Sequence, residues 1–166
     1  MTSPSITGAG VYTPRYRIEA STIADAWGRF QASGISEKRV AAADEDALTM
    51  GTAAAQQALA AADTEPRAVE TLTFGTTTPP LAEADLTPKL AAFLGIGKAV
   101  HRSFGNSTRA GTQAIAAAAD TGTFPALVVA SDSPRGEPNS AEEHAAGAGA
   151  VAFVLEDTAS GATLLD

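Results

Sequence analysis

Cysteine is absent from this chain, which excludes disulfides, thiolate metal sites and a cysteine nucleophile together. Histidine is nearly absent. His101 and His144 are the only two, far apart in sequence and without metal-ligand spacing of the His-Glu-x-x-His kind, so no metal site is expected. Basic charge is scarce as well: 11 Lys and Arg face 19 Asp and Glu, for a formal net charge of -8. An acidic surface repels phosphate backbones and anionic lipid, which argues against nucleic-acid and membrane-surface partners. No apolar run approaches the length of a membrane span. The N-terminus lacks the basic region and apolar core of a secretory signal. A cytoplasmic protein is the resulting expectation. Aromatic residues make up 5% of the chain, with a single tryptophan.

What is present is a globular balance of 45% hydrophobic and 18% charged residues, read as one domain over residues 1–166. Such a length buries roughly two-thirds of the unfolded surface. Ser5 to Tyr12 reads as a strand ended by Pro14, and Ile18 to Phe30 carries a helical pattern. Gly34 to Asp44 reads as loop. From Glu45 to Ala62, Leu48, Ala54, Ala55, Ala58, Leu59 and Ala62 fall at helical spacing. Acidic residues 44–46 stand at the start of that helix, where its dipole favours negative charge. Its alanine stripe predicts a close neighbour.

Glu70 to Thr76 alternates as a strand and ends at the threonine-proline run 76–80. Thr87 to Leu94 is a short helix capped at Gly95. Val100 to Phe104 and the apolar Ala126 to Ala130 are strands, the second of a kind buried on both faces. Ser107 to Ala119 reads as a central, alanine-rich helix. Ser133 to Gly147 is a polar loop with room for one helical turn. Ala148 to Leu155 and Ala162 to Leu165 read as a final hairpin. Strands alternating with helices predict an α/β domain with a mixed sheet and helices on both faces.

The ordered motifs Gly8-Ala-Gly-Val-Tyr-Thr-Pro14, Asp44-Glu-Asp46 before a helix, Phe74-Gly-Thr-Thr-Thr78 and Gly147-Ala-Gly-Ala-Val-Ala152 resemble the thiolase superfamily. Within it, the similarity is to hydroxymethylglutaryl-CoA synthases and ketoacyl synthase III enzymes. The resemblance implies one βαβαβαββ half of a five-layer αβαβα sandwich, ending near Leu164-Leu165-Asp166. It also implies acyltransferase chemistry on acyl-CoA, in lipid or isoprenoid metabolism.

In the enzymes resembled, an Asn-Ala-Cys-x-Gly-Gly-Thr pattern carries the nucleophile at a helix start, where the dipole favours a thiolate. Matching Gly111-Thr112 to that pattern puts Asn106 on its Asn and Thr108 on its cysteine. A hydroxyl there would need a nearby base, and Ser107 or Thr108 serves equally as a helix cap. A Gly-Thr-Glu-Ser pattern supplies the family's acid/base glutamate; Gly75-Thr76-Thr77-Thr78 matches it with Thr77 in place of the carboxylate. Threonine does no acid/base work near neutral pH.

Trp27, Arg29 and Arg109 are the candidate coenzyme A contacts. Trp27 and Arg29 correspond to the family's pantetheine tunnel mouth, with Lys38 and Arg39 nearby. The bland alternatives are a helix anchor for Trp27 and an interface ion pair for Arg109. His144 reads as a solvated loop residue, His101 as a strand or interface residue, and Gly147 and Gly149 as points of close backbone packing.

The combined expectation is a partner-dependent thiolase-type half that has lost its nucleophile and binds no resident cofactor beyond a possible coenzyme A or acyl-CoA ligand. Its partner would be a second thiolase half, another copy or an OB-fold protein, covering a face near Ala54, Ala58 and the Ser107–Ala119 helix. The alternatives are an active condensing enzyme completed by another chain, and a truncated gene fragment.

Overall fold

The computed structural model describes residues 3–81 and 84–164. Strand β1 (Ser5–Tyr12) leads into an excursion of β2 (Tyr16–Glu19), α1 (Ala20–Trp27) and β3 (Glu37–Val40). Then follow α2 (Ala47–Ala61), β4 (Thr71–Gly75), α3 (Thr87–Leu94), β5 (Val100–Phe104), α4 (Ala110–Asp120) and β6 (Ala126–Asp132). A short helix α5 (Ala141–Ala145), β7 (Gly149–Glu156) and β8 (Ala162–Thr163) complete the order. The main sheet runs β5-β4-β6-β7-β1-β8. Strands β4, β5 and β6 are parallel, whereas β7 is antiparallel to both β6 and β1. The mixed α/β sheet with helices on both faces agrees with the sequence expectation.

Helix α2 begins where its acidic cluster predicts. The Asp46 side chain accepts from the Thr49 N–H at 2.8 Å, and the Asp46 N–H donates to Thr49 Oγ1 at 2.8 Å, a reciprocal cap worth about 1 kcal/mol. The alanine stripe meets β1 almost backbone to backbone. A Cβ on Gly10 would lie 2.1 Å from the Ala54 carbonyl oxygen, and one on Gly8 would lie 2.3 Å from that of Ala58. The expected close neighbour of α2 is therefore β1.

Ala54 and Ala58 are fully buried by this contact, which corrects their assignment to an uncovered face. Gly147 and Gly149 are also corrected. A Cβ at either would meet neighbours at no less than 3.4 Å, so the tight approaches lie elsewhere.

All five residues of β4 are buried. Leu72 and Phe74 join the core under α2 and α3, while Thr71 and Thr73 face the other way. There the Thr73 hydroxyl donates to the Ala114 carbonyl and the Thr71 hydroxyl to that of Thr123, each at 3.1 Å. These bonds remove the cost of burying two hydroxyls. Helix α4 packs on β4, β5 and β6. On the same sheet face, Ala9 and Val11 of β1 stay exposed, Val11 by 58%.

Four local expectations change. Ile18 lies in β2, because residues 16–19 pair with 37–40 as a separate two-stranded sheet. Helix α1 is thus shorter than Ile18–Phe30, and β3 replaces part of the expected loop 34–44. Strands β7 and β8 form no hairpin with each other, since both pair with β1; Leu165, at the end of that expected hairpin, and Asp166 lie outside the described residues. Helix α4 starts at Ala110 rather than Ser107, and Thr112, Gln113 and Ala116 face solvent, so it is apolar on one side only.

Candidate functional site

Strands β4, β5 and β6 end along one edge of the sheet, and parallel α/β sheets bind ligands outside such carboxyl ends. Residues 76–78 follow β4, Gly105 to Arg109 follow β5, and Asp132 closes β6. Between them lies a cavity of about 360 Å³ lined by Thr77, Ser107, Thr108, Gly111, Thr112 and Asp132, among others. The structure therefore brings Thr77 and Thr108 to one place.

Thr108 is exposed and precedes α4. It does not cap the helix: the Arg109 N–H is taken by Ser107 Oγ at 3.1 Å, and the Ala110 N–H by the Ser107 carbonyl at 2.9 Å. Arg109 occupies the N-cap position and is exposed. It lines neither this cavity nor the one around Trp27.

Asp132 escaped the sequence reading. Its Oδ1 accepts from the Thr76 hydroxyl at 3.1 Å, the Thr77 N–H at 2.6 Å, and the Thr77 and Thr78 hydroxyls at 3.0 Å each. One carboxylate thus organises the entire threonine turn. The available signal was a charged residue directly after the buried run 126–130, at a strand's carboxyl end.

A second cavity, about 440 Å³, lies between the 27–41 excursion and residues 133–148. Trp27, 52% exposed, lines it with Lys38, Arg39 and Arg135. Glu143 lines it too and pairs with Lys38, which leaves Arg39 and Arg135 as the cations available beside the indole. Arg29 braces the rim, donating to the Asn139 side-chain and main-chain oxygens at 3.3 Å each. The Gln31 side chain donates to the same Asn139 carbonyl at 3.0 Å.

Beneath this rim His144 is 1% exposed, which corrects its reading as a solvated loop residue. Its Nδ1 accepts the Gln31 N–H at 3.0 Å, and its ring stacks on Phe30 with centroids 5.4 Å apart. The Lys38 ammonium donates to the Glu143 carbonyl and pairs with its carboxylate at 3.1 Å. Burial pushes the Glu143 carboxyl up, but the Gly136 N–H and Lys38 outweigh it and hold the group below its ordinary value. His101 sits half-buried on β5, with Nε2 unpartnered among the described residues.

No group of three or more His, Cys, Asp or Glu is arranged to hold a metal ion among the described residues. No described helix is long and apolar enough to cross a membrane.

Helices on both faces of a β5-β4-β6-β7-β1-β8 sheet, with a cavity at the parallel strands' ends, define a thiolase-like α/β half-domain. The priming β-ketosynthase of the R1128 polyketide pathway superposes with a TM-score of 0.84 at 24% identity, covering 96% of this chain and 52% of that one. PksG, a hydroxymethylglutaryl-CoA synthase from Bacillus, superposes at 0.81 with 25% identity, covering 95% and 42%.

In sequence, the chain is homologous to hydroxymethylglutaryl-CoA synthases. It is 34% identical to that of Thermococcus onnurineus over 160 residues, which are 93% of this chain and 45% of the relative. The Aeropyrum pernix enzyme is 32% identical, covering 99% and 48%. The chain thus spans about half the length of the curated relatives it matches. No family model matches it.

Proposed function

We propose that this chain is a partner-dependent thiolase-type half that holds a coenzyme A-type ligand and forms no acyl-enzyme of its own. The observation that carries the reading is the Trp27 cavity with Arg39 and Arg135. An indole face suits an adenine ring and clustered cations suit phosphates, while the chain as a whole repels anions. Homology to synthases that carry CoA in their names supports the ligand class.

The threonines supply the other half of the argument. Thr108 carries an alcohol with no side-chain partner among the described residues, a poor nucleophile without a base, and Thr77, whose hydroxyl is bonded to Asp132, stands where the family places a carboxylic acid and does not supply that acid. The exposed Ala9 and Val11, on the face that α4 leaves open, suit a second thiolase half, matching the missing half of the relatives' length.

Trp27 is the only tryptophan, so its fluorescence reports on this cavity alone. Coenzyme A should quench it saturably, and Arg39→Glu or Arg135→Glu should weaken the titration about tenfold, the scale of one lost charge-assisted bond. Absence of saturable quenching defeats the ligand assignment. Incubation with acetyl-CoA should leave the intact mass unchanged. A covalent acetyl adduct lost in Thr108→Ala would favour the active-enzyme reading instead.

A further inference from the structure

We infer that His144 is an acid-sensitive latch on the wall of the Trp27 cavity: its bare Nδ1 holds residues 28–36 down, and protonation of that nitrogen releases them. The latch belongs to the protein's own conformation and stands whichever ligand the cavity takes.

The ring has one proton to place. His144 is 1% exposed, and its Nδ1 accepts the Gln31 N–H at 3.0 Å. An imidazole nitrogen accepts only while it carries no proton. The proton of the neutral ring therefore sits on Nε2, which is buried without a partner among the described residues. A second proton has one place left, Nδ1, where it points at the Gln31 N–H. Donor then faces donor, and the bond is lost with both groups still buried. Histidine takes up its second proton over about pH 5–8, so the latch is closed at neutral pH and opens as pH falls.

The surroundings offer the charged ring no bonded carboxylate. Its own helix carries Glu142 and Glu143, the segment before it Arg135 and Glu137, and the excursion Arg29, Lys38 and Arg39. Glu143 is the acid that interacts with His144. Its oxygens, however, bond the Lys38 ammonium and the Gly136 N–H rather than the ring. Phe30 stacks on the imidazole and adds apolar cover.

Position gives the titration its consequence. Gln31 lies between α1 and β3, directly after the stretch that leaves Trp27. The other bonds from residues 28–36 to the 133–148 segment, made by the Arg29 and Gln31 side chains to Asn139, are exposed to water and hold little by themselves. The buried His144 bond is the stronger tie. Its loss frees residues 28–36, whereas Lys38 still anchors β3 to Glu143, so the opening is local.

Amide exchange followed by ¹H–¹⁵N NMR on the whole chain tests this, with Trp27 fluorescence beside it. At pH 7.5 the imidazole nitrogen shifts should place the proton on Nε2, and the Gln31 amide should be protected. At pH 5 that protection, corrected for the intrinsic exchange rate, should fall about tenfold, the scale of one hydrogen bond. Trp27 emission should change with the same midpoint, while the Leu72 and Val154 amides of the sheet stay protected. His144→Gln supplies an acceptor that does not titrate and should abolish the step. Glu143→Gln should leave it in place. The inference is overturned if the neutral ring carries its proton on Nδ1, or if Gln31 protection or Trp27 emission does not change with pH. It is equally overturned if the sheet amides open together with Gln31, if the step survives in His144→Gln, or if Glu143→Gln removes it. Should a variant fail to fold, the tautomer and the Gln31 titration of the unmodified chain decide.

Discussion

Gly10 and Asp132 show how much rests on single residues here. Any side chain at Gly10 enters the space of the Ala54 carbonyl, 2.1 Å away. Neither β1 nor α2 can retreat without opening the core beneath them. Gly10→Ala should therefore cost about 3 kcal/mol or more, read as a lowered denaturation midpoint with unchanged slope. Thr108 is the opposite case. Exposed and outside the helix cap, it should tolerate alanine within about 0.5 kcal/mol, so loss of any function in Thr108→Ala would be chemical and not structural. The helix start was legible in residues 44–46. The role of Asp132 was not, because its four donors come from a turn more than fifty positions away.

At the scale of elements, α2 depends on its N-terminus. Asp46→Ala removes the side-chain half of the reciprocal cap, the acceptor for the Thr49 N–H, and should lower stability by about 1 kcal/mol in chemical denaturation. The 27–41 excursion depends on residues 133–148 through the Arg29, Gln31, Lys38 and Glu143 bonds. Glu143 has a depressed carboxyl, so its contribution is present above its ordinary value of 4.5 and is lost as pH falls through the lower folded-state value. Thermal stability should therefore drop in that acidic window, and Glu143→Gln should flatten part of the drop. A profile identical in the variant would remove Glu143 from the account.

The excursion itself was misread in sequence because Ile18 continues the helical spacing of α1. Pairing of residues 16–19 with 37–40 outweighs that periodicity, and only a partner strand nearly twenty residues away reveals it.

For the whole molecule, the decisive property is that one sheet face carries a single helix, α4, among the described residues. Val11 at 58% exposure and the neighbouring Ala9 leave apolar surface that a second half would cover. Light scattering should find the isolated chain associating, or the chain joined to a second thiolase half forming one stable particle. A monodisperse monomer that binds no apolar dye would count against the partner reading. The location of this surface was legible only in part: the α4 region was anticipated, whereas Ala54 and Ala58 belong to the core.

The sequence by itself determined the absence of a thiol nucleophile, the alternation of strands and helices, the start of α2 and the thiolase resemblance. These follow from residue chemistry and short-range periodicity, which need no knowledge of distant contacts. Tertiary structure alone decided that β1 separates β7 from β8, that His144 is buried, and that Thr77, Thr108 and Asp132 share one cavity. Each of these depends on which strands lie side by side, and that is set by packing two helical layers against a common sheet.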